Sequence, residues 1–160
     1  MLLRDIFRAP KTNVKISKWE SGKVPKRQFP MSKLKNGVQM GPDWSWRVVL
    51  FSAIGNDFRI LIKLNEKKEY FAAILAIEYN SDLLVLCHHE LHTSHKGWHC
   101  HYINGNVMDT YPGVWRDRQR MVSWPSFSVS ACQVQFNITQ ANALSIAASR
   151  FKFQAQGSLV

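Results

Sequence analysis

Three cysteines in 160 residues, Cys87, Cys100 and Cys132, are too few and too scattered to frame a disulfide scaffold. They point instead to a reducing intracellular setting, the cytoplasm. No apolar run approaches the ~18 residues of a membrane-spanning helix, so no membrane association is expected. The opening MLLRDIFRAPK lacks the apolar core of a secretory signal, because Asp5 and Arg8 interrupt it. Residues 1–19 are basic and apolar enough to resemble an organellar presequence, and Asp5 counts against that reading. Acidic side chains are scarce too: 11 Asp and Glu stand against 21 Lys and Arg, a formal charge of +10. Internal repeats are absent. Apolar residues are not scarce: 46% hydrophobic with only 20% charged is a globular balance and excludes a wholly disordered chain. At this length a single ordinary core is expected.

The excess charge is local. Residues 1–40 hold ten Lys or Arg and two acids, whereas residues 41–160 hold eleven and nine. Residues 1–43 are also punctuated by Pro10, Pro25, Pro30 and Pro42 and by Gly22, Gly37 and Gly41, with no sustained period, so they read as a basic N-terminal extension. Within it Lys11, Lys15, Lys18, Lys23, Lys26, Arg27, Lys33 and Lys35 are candidate phosphate contacts, and nucleic acid is the expected partner. Residues 44–155 read as one α+β domain. Segments 46–53, 58–64, 70–79, 83–92 and 98–103 are rich in β-branched and aromatic residues and separated by short turns, which favours an antiparallel meander of five or six strands. Residues 104–125 read as a loop-rich crossing, and 127–138 alternates like a further strand. Thr139 can cap a closing helix whose Leu144, Ala147, Ala148 and Phe151 form one stripe, packed on one face of the sheet.

All six histidines fall between His88 and His101, in CHHELHTSHKGWHCH. Read as a hairpin of period two, the first strand puts His88, Glu90 and His92 on one face, continuing the row of Leu84 and Leu86, and the second puts His99 and His101 together. If those faces meet, several imidazoles and one carboxylate converge at the spacing of opposed pairs, about 4.5 to 5.5 Å. Three imidazoles around an open position suit a divalent transition metal such as zinc. His92, His99 and His101 are the preferred ligands and His88 a fourth. Glu90 would then act as general base or support the ligands by hydrogen bonding, and His95, in the turn, as proton donor or gate. Without a metal, paired histidines can still serve as acid and base in phosphodiester cleavage, with Arg116 and Arg118 of WRDRQR stabilising the phosphorus centre and Arg120 holding nucleic acid.

The zincin motif HExxH is missed by one residue, in His89-Glu90-Leu91-His92. A helical register, with His88, His92, His95 and His99 on one face, conflicts with Gly97, Thr93-Ser94 and the preceding LLVLC. His99-Cys100-His101 resembles, over those three residues, the His-hydrophobic-His element of rolling-circle nickases and relaxases. The resemblance implies an antiparallel sheet and a tyrosine nucleophile, usually on a helix; the closing helix has none, and Tyr111 is the nearest loop candidate. On the hairpin, Cys87 and Cys100 point away from the preferred imidazoles. Two functions follow from the residues: a metal- or histidine-dependent hydrolase, most plausibly a nuclease or phosphodiesterase, or a non-catalytic nucleic-acid- or protein-binding module, such as a small toxin or mobile-element protein.

Overall fold

The structure, a computed structural model, describes residues 1–92, 95–124, 137–156 and 158–159, with residues 95–97 and 158–159 given by their backbone alone. The chain runs through α1 (Leu3–Arg8), β1 (Thr12–Ile16), the two-residue β2 (Glu20–Ser21), β3 (Ser45–Ala53), β4 (Asn56–Asn65), β5 (Tyr70–Tyr79), β6 (Asp82–His92), β7 (His95–Ile103), β8 (Met121–Trp124), α2 (Gln140–Phe151) and the short β9 (Ser158–Leu159). Strands β3 to β8 form an antiparallel meander in sequence order, so the expected α+β class holds. The sheet extends past β3 through β1, which pairs antiparallel with β3 and parallel with β9, while β2 pairs with the start of β3. Nine strands are present among the described residues, where five or six were expected; β8 lies in what read as a loop. The alternating segment 127–138 lies, up to residue 136, outside the described residues.

Two tight turns set the register. Ile54-Gly55 joins β3 to β4 and Asn80-Ser81 joins β5 to β6, all four residues with positive φ. This is the conformation by which a two-residue loop follows the natural twist of its strands.

The sheet is covered on both faces. On the first, Val49, Phe51, Ile60, Ile62, Phe71, Leu75 and Leu86 pack against Leu3 and Ile6 of α1 and Ala143, Ala147 and Phe151 of α2. Helix α2 begins where expected: Thr139 Oγ1 accepts from the Ala141 amide, and the Asn142 side chain accepts from the Thr139 amide in return. On the second face Val48, Leu61, Ile74 and Val85 are covered by Val24, Phe29, Met31 and Val38.

That cover corrects the reading of residues 1–43 as an extension. Phe29 and Val24 are fully buried, and α1 and β1 belong to the first face and to the sheet. The basic residues of the stretch sit between apolar ones that fill the core, so its charge lies on the outside of a folded layer. Proline and glycine there mark a close-fitting irregular path. Gly37, at φ +75°, passes so near the Val24 carbonyl that a Cβ would collide with it.

One irregularity decides where the histidines point. In the β5–β6 pairing Leu75 opposes Cys87 and Ala76 opposes Val85, so Leu86 has no partner and forms a bulge. Leu84, Leu86 and Cys87 therefore all face the helices, while Leu83, Val85 and then His88 face the second side. Strict alternation had placed Leu84 and Leu86 on the histidine face; the bulge shifts the phase by one and overturns this.

Candidate metal centre

The hairpin of β6 and β7 pairs His88 with His101 and Glu90 with His99, which puts these four side chains on the second face, beside the layer of residues 24–38. Glu90 is the hub. Its Oε2 is 3.1 Å from His99 Nε2 and 3.9 Å from both His92 Nε2 and His101 Nε2, and its side chain is only 4% exposed. His92 and His99 approach through their Nε2 atoms at 3.2 Å. One ligand atom each from Glu90, His99 and His101 lies within 4.8 Å of the others, a group that can hold a metal ion.

Neighbouring elements aim these groups. His101 Nδ1 lies 2.8 Å from Ser123 Oγ of β8, leaving Nε2 towards Glu90. Tyr70 stacks on His92 at 5.3 Å. His88, fully buried, uses Nε2 to donate to the Trp115 carbonyl at 2.8 Å and turns Nδ1 to Glu90 Oε1 at 3.3 Å. Arg116 donates to the same oxygen. The loop that delivers Trp115 and Arg116 is pinned at each end. Gly113, φ +73°, donates its amide to the Leu83 carbonyl at 2.9 Å, and buried Asp117 accepts from the Gln119 and Arg120 amides.

Burial by itself would raise the Glu90 carboxyl. Hydrogen bonds from His88 and His99, with the charges of His88 and Arg116, outweigh it and hold the group well below the usual carboxylate range. His101 is drawn down to about 4, chiefly by burial and then by the Arg116 charge. A neutral imidazole beside an ionised carboxylate is the state in which both can bind a cation. Burial, assisted by Glu90, pushes the Tyr70 phenol up to about 12.

The structure thus gathers His88, Glu90, His92, His99, His101 and Arg116, but redistributes their expected roles. Glu90, expected as general base or as support for the ligands, is one of the three residues whose atoms lie close enough together to hold an ion. His88, expected as a ligand, is committed to Trp115 and to orienting Glu90. The His95 side chain lies outside the described residues; its backbone pairs with His92. Arg118 is exposed and takes no part in the cluster, and Arg120 pairs with Asp117 at 3.0 Å while stacking on Tyr111 at 3.7 Å. Lys11 is likewise not a free cation: Nζ donates to the carbonyls of Ile6, Phe7 and Ala9 and so completes the end of α1. Lys15, Lys18, Lys23, Lys26, Arg27, Lys33 and Lys35 are exposed. Sequence reasoning passed over Trp44, Lys63, Tyr70 and Ser123, which surround the site from four other elements or loops with no short-range pattern to link them.

Cys100 and Cys87 lie on the opposite face, as their phase in the hairpin requires. Cys100 Sγ is 3.2 Å from His89 Nδ1 and 3.1 Å from Arg150 Nη2. A hydrogen bond from Cys87 above all, with His89 and Arg150 against the effect of burial, pulls the Cys100 thiol down, and the same bond pushes Cys87 up. The chain matches no protein-family model, no curated protein and no solved structure.

Proposed function

We propose that the protein is a metal-dependent hydrolase of phosphodiesters, with nucleic acid as its substrate class and Glu90, His99 and His101 holding a divalent transition metal, zinc being one that suits the donors. The observation that carries this reading is the convergence of those three ligand atoms within 4.8 Å, with His92 Nε2 3.2 Å from His99. A metal bound there would supply Lewis acidity and an acidic water. The chain's own residues supply the rest. His88 and Arg116 fix the carboxylate, Ser123 fixes the His101 ring, and His92 stands close enough to serve as a fourth ligand or to exchange a proton. Further support comes from the basic layer. Lys23, Lys26, Arg27, Lys33 and Lys35 belong to the segment that covers the same face of the sheet, and Phe29 of that segment meets Trp115 edge-on at 6.2 Å.

The test is elemental analysis of untagged protein, followed by hydrolysis of a chromogenic phosphodiester with and without added Zn²⁺. Stoichiometric metal is expected, with activity abolished in the folded double variant His99→Ala/His101→Ala. No bound metal together with undiminished activity in that variant would overturn the reading. The alternative, a non-catalytic binding module, draws on the exposed aromatic rings of Tyr111 and Trp124, each 51% exposed. It predicts salt-dependent binding of single-stranded nucleic acid that the histidine substitutions leave unchanged.

A further inference from the structure

Lys63 lies outside every sequence motif, yet the sheet ties it to the metal centre. Lys63 of β4 opposes Ala72 of β5, Ala72 opposes Glu90 of β6, and Glu90 opposes His99 of β7. These four stand in one row on the second face, where Ala72, the short residue between lysine and glutamate, is buried within the cluster against which Tyr70 and Trp115 pack. Two strand spacings, about 9 to 10 Å, separate the two backbones, a span on the scale of a phosphate ester.

Aromatic walls join the two ends. Lys63 Nζ is 5.9 Å from the Tyr70 ring, which stacks on His92, and 5.4 Å from the Trp115 ring, which meets His88 edge-on at 5.5 Å. Trp44 closes the surround, 5.0 Å from Nζ and edge-on to Tyr70. Among the described residues, this ammonium has three aromatic faces and no hydrogen-bond acceptor or ion-pair partner. Ring faces attract a cation but accept none of its three N–H groups in the manner of an oxygen. A lysine ordinarily carries such a head out to water. Here the head is turned inward, within reach of the charges of Glu90 and Arg116, which both act on it.

We propose that Lys63 binds an anionic phosphate-ester group of the substrate, placed between its ammonium and the Glu90, His99 and His101 centre, with the planar part of the substrate against Trp44 and Tyr70. The inference rests on the hydrolase reading for the identity of the site, and the experiment separates the two. Phenyl phosphate and inorganic phosphate are titrated calorimetrically into the full-length protein, before and after loading with Zn²⁺, for the wild type, Lys63→Met and Lys63→Arg. The wild type is expected to bind phenyl phosphate more tightly than inorganic phosphate. Lys63→Met should weaken phenyl phosphate at least tenfold and Lys63→Arg less than threefold, with Zn²⁺ affinity the same in all three. Lys63→Gln gives the same comparison if the Met variant does not fold. Failure of the wild type to bind phenyl phosphate, or equal affinity in Lys63→Met, overturns the lysine site, and equal affinity for the two phosphates overturns the role of the aromatic walls. Absence of Zn²⁺ binding in the wild type, with lysine-dependent phenyl phosphate binding retained, overturns the metal reading and upholds Lys63.

Discussion

Glu90 combines two properties that rarely coexist in one side chain: it is almost wholly buried, and it is held ionised by His88, His99 and Arg116. Removing its charge strands Arg116 and His88 against a neutral oxygen in a poorly solvated place. Glu90→Gln should therefore lower the stability of the metal-free protein by about 2 to 4 kcal/mol in urea denaturation, and weaken Zn²⁺ binding at least tenfold. His101 makes a separate prediction. Its folded-state value, about 4, lies below the roughly 6.5 of an unfolded imidazole, so between those values the unfolded chain binds more protons. Stability of the metal-free protein should accordingly rise as pH climbs from 4 to 6.5 and level off above. Glu90 acts in the same direction lower down: its contribution is present above the ordinary carboxylate value and is lost as pH falls through its depressed one. His101→Gln should shrink the gain between pH 4.5 and pH 7.5 by about 1 to 3 kcal/mol, read by urea unfolding at both values. At this scale the sequence was informative. Six histidines in fourteen residues, paired by a hairpin, named most of the cluster, but not which carboxylate oxygen or ring nitrogen faces which partner. His88 differs from the expectation because Trp115, distant in the chain, takes its Nε2 as a donor and leaves only Nδ1 towards Glu90.

Turn chemistry governs the elements that position the site. Gly113 is the tightest point of the loop carrying Trp115 and Arg116: a Cβ would stand 2.2 Å from Ser32 Oγ and 2.9 Å from Asp82 Oδ2, on a backbone at φ +73°. Gly113→Ala should cost about 1 to 3 kcal/mol and, by displacing the Trp115 carbonyl, weaken metal binding as well; thermal melts with and without Zn²⁺ check both. Thr139→Ala removes an N-cap far from the centre and should cost about 1 kcal/mol with metal affinity unchanged. Strands β3 to β7 and the cap of α2 were legible from period and punctuation. The elements missed, α1, β1, β2, β8 and β9, are short, and their residues become strand or helix through contact with elements far away in sequence. Thr12–Ile16, for instance, carries no strong alternation and is a strand because β3 and β9 flank it.

For the molecule as a whole, charge was a misleading guide to architecture. Residues 1–43 hold most of the net charge, yet Ile6, Ile16, Val24, Phe29 and Met31 are at most 2% exposed. Deletion of residues 1–43 should abolish cooperative unfolding, followed by circular dichroism, because the second face of the sheet would lose its cover and the first would keep only α2; an intact thermal transition would show the remainder to fold alone. Apolar residues spaced irregularly among lysines and prolines give no period, and their burial is set by the shape of the sheet they cover, which local pattern does not encode. The unpaired Leu86 has a consequence of the same order. Side chains along a strand carry a parity, and this one residue inverts it upstream of the whole ligand row. Removing Leu86 would leave Val85, Cys87 and His88 in plain alternation, with His88, Glu90 and His92 still on the basic side; drawing Leu86 into the pairing, with no bulge, is what would turn that row towards the helices. The address of the centre on the molecule thus depends on whether one leucine is counted in the pairing or left out of it.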